Sequence, residues 1–260
     1  DCLSDVFGAI DSKKFMEIFI EWTKEIVKNK TGKHISIDGK AIKSATDKIN
    51  NGNIPYIVSA FIGEIGLSIG QVKVEDKTNE ITAIPDLLDL LELKGSIITI
   101  DAIGTQETII NKIIEKKAHY VLKVKDNQRE LKKQIKNHFD SYNNLYGNKE
   151  IIHQKSIEKN HGRIEEREYF LTYNVSSIKD KKKWESVKAI AYVKVSRTEK
   201  DETTITKHYY IIDHKIDIKT LIESIRDHWS IECGLHWRLD VIFDEDHSRN
   251  HIGNSINNLS

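Results

Sequence analysis

Cysteine is nearly absent from this chain: Cys2 and Cys233 are the only two among 260 residues. Two thiols build neither a disulfide framework nor a zinc ribbon, so a reducing cytosol is the expected compartment. Apolar runs stay well short of the roughly 20 residues a membrane span needs, and no signal peptide is visible. Neither a membrane nor a secreted class is expected. An excess of one charge is also lacking, with 40 basic residues against 40 acidic ones. A nucleic-acid binder usually carries a basic excess at least locally, so the sum speaks mildly against one and the distribution has to decide. Methionine occurs once, at Met16, and residue 1 is Asp. That gives the chain the look of an excerpt from a longer reading frame, or of a processed product.

Hydrophobic residues at 38% and charged residues at 31% describe a soluble globular protein rather than a disordered one. Its most informative stretch is Ile97-Ile98-Thr99-Ile100-Asp101-Ala102-Ile103-Gly104-Thr105-Gln106. Four residues of buried-strand character deliver a carboxylate to the strand's end, Gly104 turns the chain, and Thr105 is expected to cap the next helix. Ile35-Ser36-Ile37-Asp38-Gly39-Lys40 repeats the device, with Asp38 expected as the terminal residue of its strand. Carboxylates carried rigidly on strands and brought together make a divalent-metal site.

The order of elements sets the fold class. A helix is expected over about 12–29, with Phe15, Ile18, Phe19, Trp22, Ile26 and Val27 on one side and Thr31-Gly32 at its end. Strands follow at 34–38, 54–62 and 67–74, with Asn51-Gly52-Asn53 and 63–66 as turns. A helix over 79–93, entered by Thr78-Asn79, is expected to break or restart at Pro85. Strand 97–101, helix 105–117, strand 119–124 and helix 127–139 come next. Three strands and then alternating β and α elements point to an α/β protein, a mixed sheet flanked by helices. After the polar loop 143–148, strands at 151–158, 164–174, 187–196 and 203–212 form a β-rich unit. They are separated by His161-Gly162, by 179–183 and by Glu199-Lys200-Asp201-Glu202. A final helix runs from 218 to about 239.

On that helix Leu221, Ile225, His228, Trp229, Glu232, Leu235, His236 and Leu239 recur at helical steps, placing Glu232 on an inward, otherwise apolar stripe. A carboxylate there has to be paired, neutralised or bound to metal. Each signal also has a bland counterpart. Asp-Gly after a strand is a routine turn dipeptide. Glu232 could tilt to solvent beside Arg226 or Arg238. Trp229 and Trp237 are more often core than stacking residues. His228, Glu232 and His236, at i, i+4 and i+8, share a helix face and could ligate zinc, although no loop adds further ligands. The basic run Lys123, Lys125, Arg129, Lys132, Lys133 and Lys136 reads first as a solvated helix face.

Taken in order, these blocks resemble the DDE transposases of bacterial insertion sequences, specifically the ISAs-type, H-repeat-associated branch. The resemblance covers the whole chain. It rests on Ile37-Asp38-Gly39-Lys40, Val58-Ser59-Ala60-Phe61, the segment from Lys77 to Pro85, and Thr99 through Gln106. Tyr120 through Gln128, His161-Gly162-Arg163-Ile164-Glu165, His228-Trp229-Ser230-Ile231-Glu232 and Leu235 through Val241 continue it.

The resemblance implies an RNase H-like mixed five-stranded sheet flanked by helices. A β-rich insertion would precede the last catalytic helix. Residues 1–33 would be a truncated N-terminal helical segment, 34–139 the first part of the core, 140–217 the insertion, and 218–260 the helix completing the core. It implies Asp38, Asp101 and Glu232 as catalytic and metal-holding residues, with two Mg²⁺ ions as cofactor and Mn²⁺ as a substitute. Contacts to DNA are expected from Lys40, Lys43, Lys123, Lys125, Arg129, His228 and Trp229. The implied partners are double-stranded DNA, both terminal repeats and target, and a second copy of the chain, with no membrane. The implied activity is cleavage and strand transfer of element ends in a bacterial cytoplasm. An RNase H-like nuclease without strand transfer and a DNA-binding relic without activity remain the alternatives. The chain departs at three positions from the tyrosine-arginine-glutamate-lysine signature that marks the wider group. His228 stands where Arg is common, Ile225 where Tyr is, and Leu239 where Lys is. Cys233-Gly234 replaces an expected Asn-Ser, and a helical Gly costs roughly 1 kcal/mol relative to Ala.

Overall fold

A computed structural model describes residues 2–28, 32–43, 56–74, 80–142, 145–160, 162–200, 202–247, 254, 255 and 258. Thr31, the turn at Asn51-Gly52-Asn53, Lys77, the helix entry at Thr78-Asn79, Asn143, Asn144, His161 and Asp201 lie outside them. The chain divides into two units. The first comprises residues 1–99, 108–118 and 226–260, the second 100–107 and 119–225.

In the first unit α1 (Cys2–Ala9) and α2 (Ser12–Val27) precede β1 (His34–Ala41), β2 (Tyr56–Ile62), β3 (Leu67–Val74) and α3 (Glu80–Leu90). With β4 (Ile97–Ile100) the strands take the order β3-β2-β1-β4. Pairing of β1 with β2 is antiparallel and continues from Ser36↔Phe61 to Ala41↔Tyr56. Asp38 therefore lies opposite Ser59 inside the strand, not at its end as expected, and Asp38-Gly39 is no turn. Gly39 fits there because a Cβ at this position would stand 2.8 Å from a carboxylate oxygen of the buried Glu80. Side chains alternate along β1, so Ile35 and Ile37 enter the core while Ser36, Asp38 and Lys40 share the opposite face.

Two helices of this unit correct the expectation. Although Pro85 removes one backbone donor, α3 runs through it, because Ala83, Ile84, Leu87 and Leu88 are buried on its β2 and β3 side. Burial of each large apolar side chain stabilises by about 1.5–3 kcal/mol, enough to offset one lost hydrogen bond. In α2 it is Ile20, Thr23 and Val27 that are buried, whereas Ile18 (67% exposed), Trp22 (55%) and Ile26 (48%) face outward. The helix carries two apolar stripes, and the one with a threonine turns inward. Burying Thr23 is tolerable because its hydroxyl donates to the Ile20 carbonyl at 2.9 Å.

The second unit holds β5 (His119–Val124), α5 (Arg129–Asp140), β6 (Ile152–Asn160), β7 (Arg163–Thr172), β8 (Ala189–Glu199) and β9 (Glu202–Ile212). Its strands run β5-β9-β8-β7-β6, antiparallel throughout. Nine strands thus belong to the sheet, four in one unit and five in the other, where a five-stranded sheet was expected with the four strands of the β-rich segment as an insertion. The α/β class stands. The free edge of β5 is hydrogen-bonded by β9 from Val121↔Ile212 to Val124↔Tyr209, and the β-rich segment continues outward from there. A cross-strand aromatic row ties that segment together: His153, Phe170, Tyr192 and Tyr209 stack in succession with centroids 4.7, 5.4 and 5.5 Å apart. From β9 the chain enters α6 (Ile218–Ile231), which crosses from the second unit into the first. Among the described residues no helix is long and apolar enough to cross a membrane.

Candidate functional site

The helix expected to run unbroken to about residue 239 is interrupted. After α6 comes a π-helical turn, Glu232–His236, and only then α7 (Trp237–Val241). Such single π turns are often found at functional sites. The wider turn changes the phase of the residues beyond it. Glu232, at the start, is exposed, while the His236 side chain is 13% exposed. Among the described residues the ligand atoms of His228, Glu232 and His236 do not come together as a metal-binding group, and the zinc alternative for that trio falls. Gly234 lies inside the turn in a tight place: a Cβ there would meet the Phe61 ring at 3.1 Å, and the ring would have to give way slightly. A glycine that looked like a helix defect is what allows the turn to approach β2.

The polar face of β1 lies along this helical segment, residue against residue. The Ser36 hydroxyl donates to the Asp227 carbonyl at 3.0 Å. His34 Nδ1 is 3.1 Å from the Asp227 carboxylate, and Thr99 on β4 links Ser36 at 3.3 Å to His228 Nδ1 at 3.2 Å. Next along the strand, Asp38 Oδ2 lies 3.6 Å from His236 Nδ1. Finally Lys40 Nζ contacts Asp240 at 2.7 Å and Glu245 as well. Asp38 is thus held between two fixed points on a strand interior, facing the turn that Glu232 opens.

Burial, reinforced by the nearby Lys40 charge, pushes the His236 pKa down to about 4, only partly opposed by Asp240. The imidazole beside Asp38 is therefore neutral at pH 7. Its Nε2 is buried and has no hydrogen-bond partner among the described residues. The linkage follows directly. The unfolded chain protonates this histidine near pH 6.5 and the folded chain only near pH 4, so stability falls as pH drops through that interval. The contribution is about 3 kcal/mol. In His236→Gln the melting temperature should fall less steeply between pH 6.5 and 4; an unchanged slope would show that His236 is not buried neutral.

In the second unit Asp101 directly follows β4 with extended backbone (φ −62°, ψ 173°) and precedes a short 3₁₀ turn, Ala102–Gly104. Its partial burial favours the neutral acid, but hydrogen bonds from Lys125 at 2.8 Å and from the Ala102 N–H outweigh that. With the Lys125 and Lys123 charges, they hold the carboxyl below its usual range. Thr105 does not cap a helix, since α4 (Glu107–Glu115) begins two residues later. Its hydroxyl donates to the Lys123 carbonyl at 2.7 Å and pins the Asp101 turn to β5. Asn127 and Gln128 add bonds to the Ala102 and Thr105 carbonyls. These side chains of the Lys125–Gln128 segment hold the turn, a role that motif reading alone did not give them.

The expected DNA contacts divide by environment. Lys40, with its side chain 10% exposed, is committed to two carboxylates inside the fold. His228 is occupied by Thr99. Lys43 pairs with Asp246 at 2.7 Å but stays 68% exposed, and Lys125 pairs with Asp101. Arg129, Lys133 and Lys136 share the outer face of α5, whose inner face buries Leu131, Ile135 and Phe139. Trp229 is 58% exposed. The three expected metal-holding acids offer carboxylate oxygens, the donor type suited to Mg²⁺ and Mn²⁺.

A family model described as "Transposase DDE domain" matches residues 29–259. The chain is 39% identical over 264 residues to "Putative transposase YncI" of Escherichia coli O157:H7, covering all of this chain and 67% of that protein. It is 34% identical over 260 residues to "H repeat-associated putative transposase YhhI" of Escherichia coli strain K12, covering 98% of this chain and 68% of the relative. "Putative protein YbfL" of the same strain is 35% identical over 260 residues.

Proposed function

The chain belongs to the transposase DDE-domain family, and from that premise we propose that it cuts and joins DNA ends with Asp38, Asp101 and Glu232 as the metal-holding carboxylates. The observation that carries this reading is the setting of Asp38. It is an acid locked in a strand interior, 3.6 Å from a buried neutral histidine contributed by the π turn that begins at Glu232. Divalent metal, when bound, supplies charge stabilisation at the attacking and leaving oxygens of the scissile phosphate.

The chain's own residues do the positioning. Lys40, fixed by Asp240 and Glu245, holds the end of β1 against the segment beyond α7 and so sets where Asp38 points. His236, kept neutral, adds no positive charge beside that carboxylate. Lys125 keeps Asp101 ionised and oriented, and it can exchange that partner for a DNA phosphate. The outer face of α5, with Arg129, Lys133 and Lys136, offers a track for the phosphate backbone even though the chain as a whole is neutral. Exposed Trp229 is placed to contact a base or sugar. We read residues 140–217 as an insertion within the catalytic fold, and a second copy of the chain as the partner that brings two ends together.

The test is incubation of the protein with Mg²⁺ or Mn²⁺ and labelled DNA carrying the ends of its own element. Cleaved ends joined to a target plasmid are expected. Cleavage without joined products would favour a nuclease, and no metal-dependent cleavage would overturn the proposal.

A further inference from the structure

Away from the carboxylates, the second unit carries a cluster the proposed DNA chemistry does not use. His119 opens β5, and Asp213 and His214 directly follow β9. The β5–β9 register, continued two residues past Val121↔Ile212, sets His119 opposite His214. Their rings lie 4.3 Å apart, tilted by 36°. Between them Asp213, its side chain 6% exposed, meets His119 Nδ1 at 2.8 Å with one oxygen and His214 Nδ1 at 2.9 Å with the other. The Tyr120 N–H donates to the same carboxylate at 2.8 Å and fixes its orientation. One donor atom from each of the three residues lies within 4.8 Å of the others, and among the described residues only this trio does so.

We propose that His119, Asp213 and His214 bind one zinc-class divalent ion through two imidazole nitrogens and one carboxylate oxygen. The donor chemistry argues for this class: imidazole suits Zn²⁺, whereas Mg²⁺ demands oxygen. Both Nδ1 atoms already face one buried carboxylate, so an ion entering there needs only small ring and carboxylate shifts. Each imidazole would bind through Nδ1 with its hydrogen on Nε2, so a hydrogen carried on Nδ1 passes to Nε2 or to solvent. His119 is 43% exposed, which leaves a fourth position open to water. A bound ion would tie the start of β5 to the link between β9 and α6, the helix that leads to Glu232. The site lies at the opposite end of β5 from Lys125, about 17–20 Å along the strand.

The decisive experiment titrates zinc chloride into the whole chain against a chromophoric chelator. The unaltered protein and Asp101→Asn should each bind one equivalent that the His119→Ala/His214→Ala double variant lacks. Each single alanine variant should bind roughly tenfold or more weakly. Equal zinc binding by the unaltered protein and the double variant would overturn the proposal. Cobalt(II) added to the unaltered protein gives a readout that needs no variant. An intense visible band from four-coordinate cobalt is expected, and only the weak band of six-coordinate cobalt would count against the site.

Discussion

Replacing Asp101 with Asn is expected to lower metal-dependent DNA cleavage by roughly 10²–10³-fold or more, the scale of losing one group that stabilises the transition state. The substitution keeps the shape of the side chain and an acceptor for Lys125, so folding should barely change. The native pair is half exposed, Lys125 at 49% and Asp101 at 41%, and such pairs contribute about 0–1 kcal/mol. Cleavage and stability therefore separate in this variant. Cleavage assays beside thermal melts check it, and full activity in a folded Asp101→Asn protein would remove Asp101 from the mechanism. Its depressed pKa adds a sign. Asp101 stays ionised well below neutral pH, so its own protonation should not limit activity between pH 6 and 8.

Lys40→Ala should have the largest effect on the fold. Its ammonium and the Glu245 carboxylate are 10% and 9% exposed, and Asp240 closes the group. Burial works against a charged lysine, but the hydrogen bonds it donates to Asp240 and Glu245 outweigh it and its pKa is raised. Removing one partner of a buried pair leaves the other charge uncompensated, which costs about 3–5 kcal/mol. A drop in melting temperature of roughly 10 °C is expected. Had Lys40 been a phosphate contact, as its place after Asp38 suggested, the melt would be unchanged. DNA binding would instead lose about one unit of salt dependence. Melting curves and salt titrations of the same variant distinguish the two roles.

Periodicity located the strands well and the special geometry poorly. The strands 67–74 and 119–124 have the bounds their alternation implies, because β-branched runs between turn residues leave little choice. Asp38 was misplaced to a strand end because Asp-Gly reads as a turn, and the reason it is not one, the pairing with β2 that continues to Ala41↔Tyr56, is a tertiary fact. Of the buried face of α2 only Val27 was recognised, because larger residues occupy its exposed stripe. No spacing rule announces the π turn at Glu232. A 3.6-residue period draws one smooth helix through it and puts Glu232 on an inward stripe with His236, whereas Glu232 is exposed and only His236 is turned in. His119 lies 94 residues before Asp213 and its neighbour His214, and only the β5–β9 pairing brings them to one place.

Manganese binding tests the central claim most directly. In a background carrying His119→Ala and His214→Ala, Mn²⁺ titrated into the protein by paramagnetic resonance should show tight binding. That binding should weaken roughly tenfold or more in each of Asp38→Asn, Asp101→Asn and Glu232→Gln. Undiminished binding in all three variants would contradict the assignment of these carboxylates as the metal-holding site.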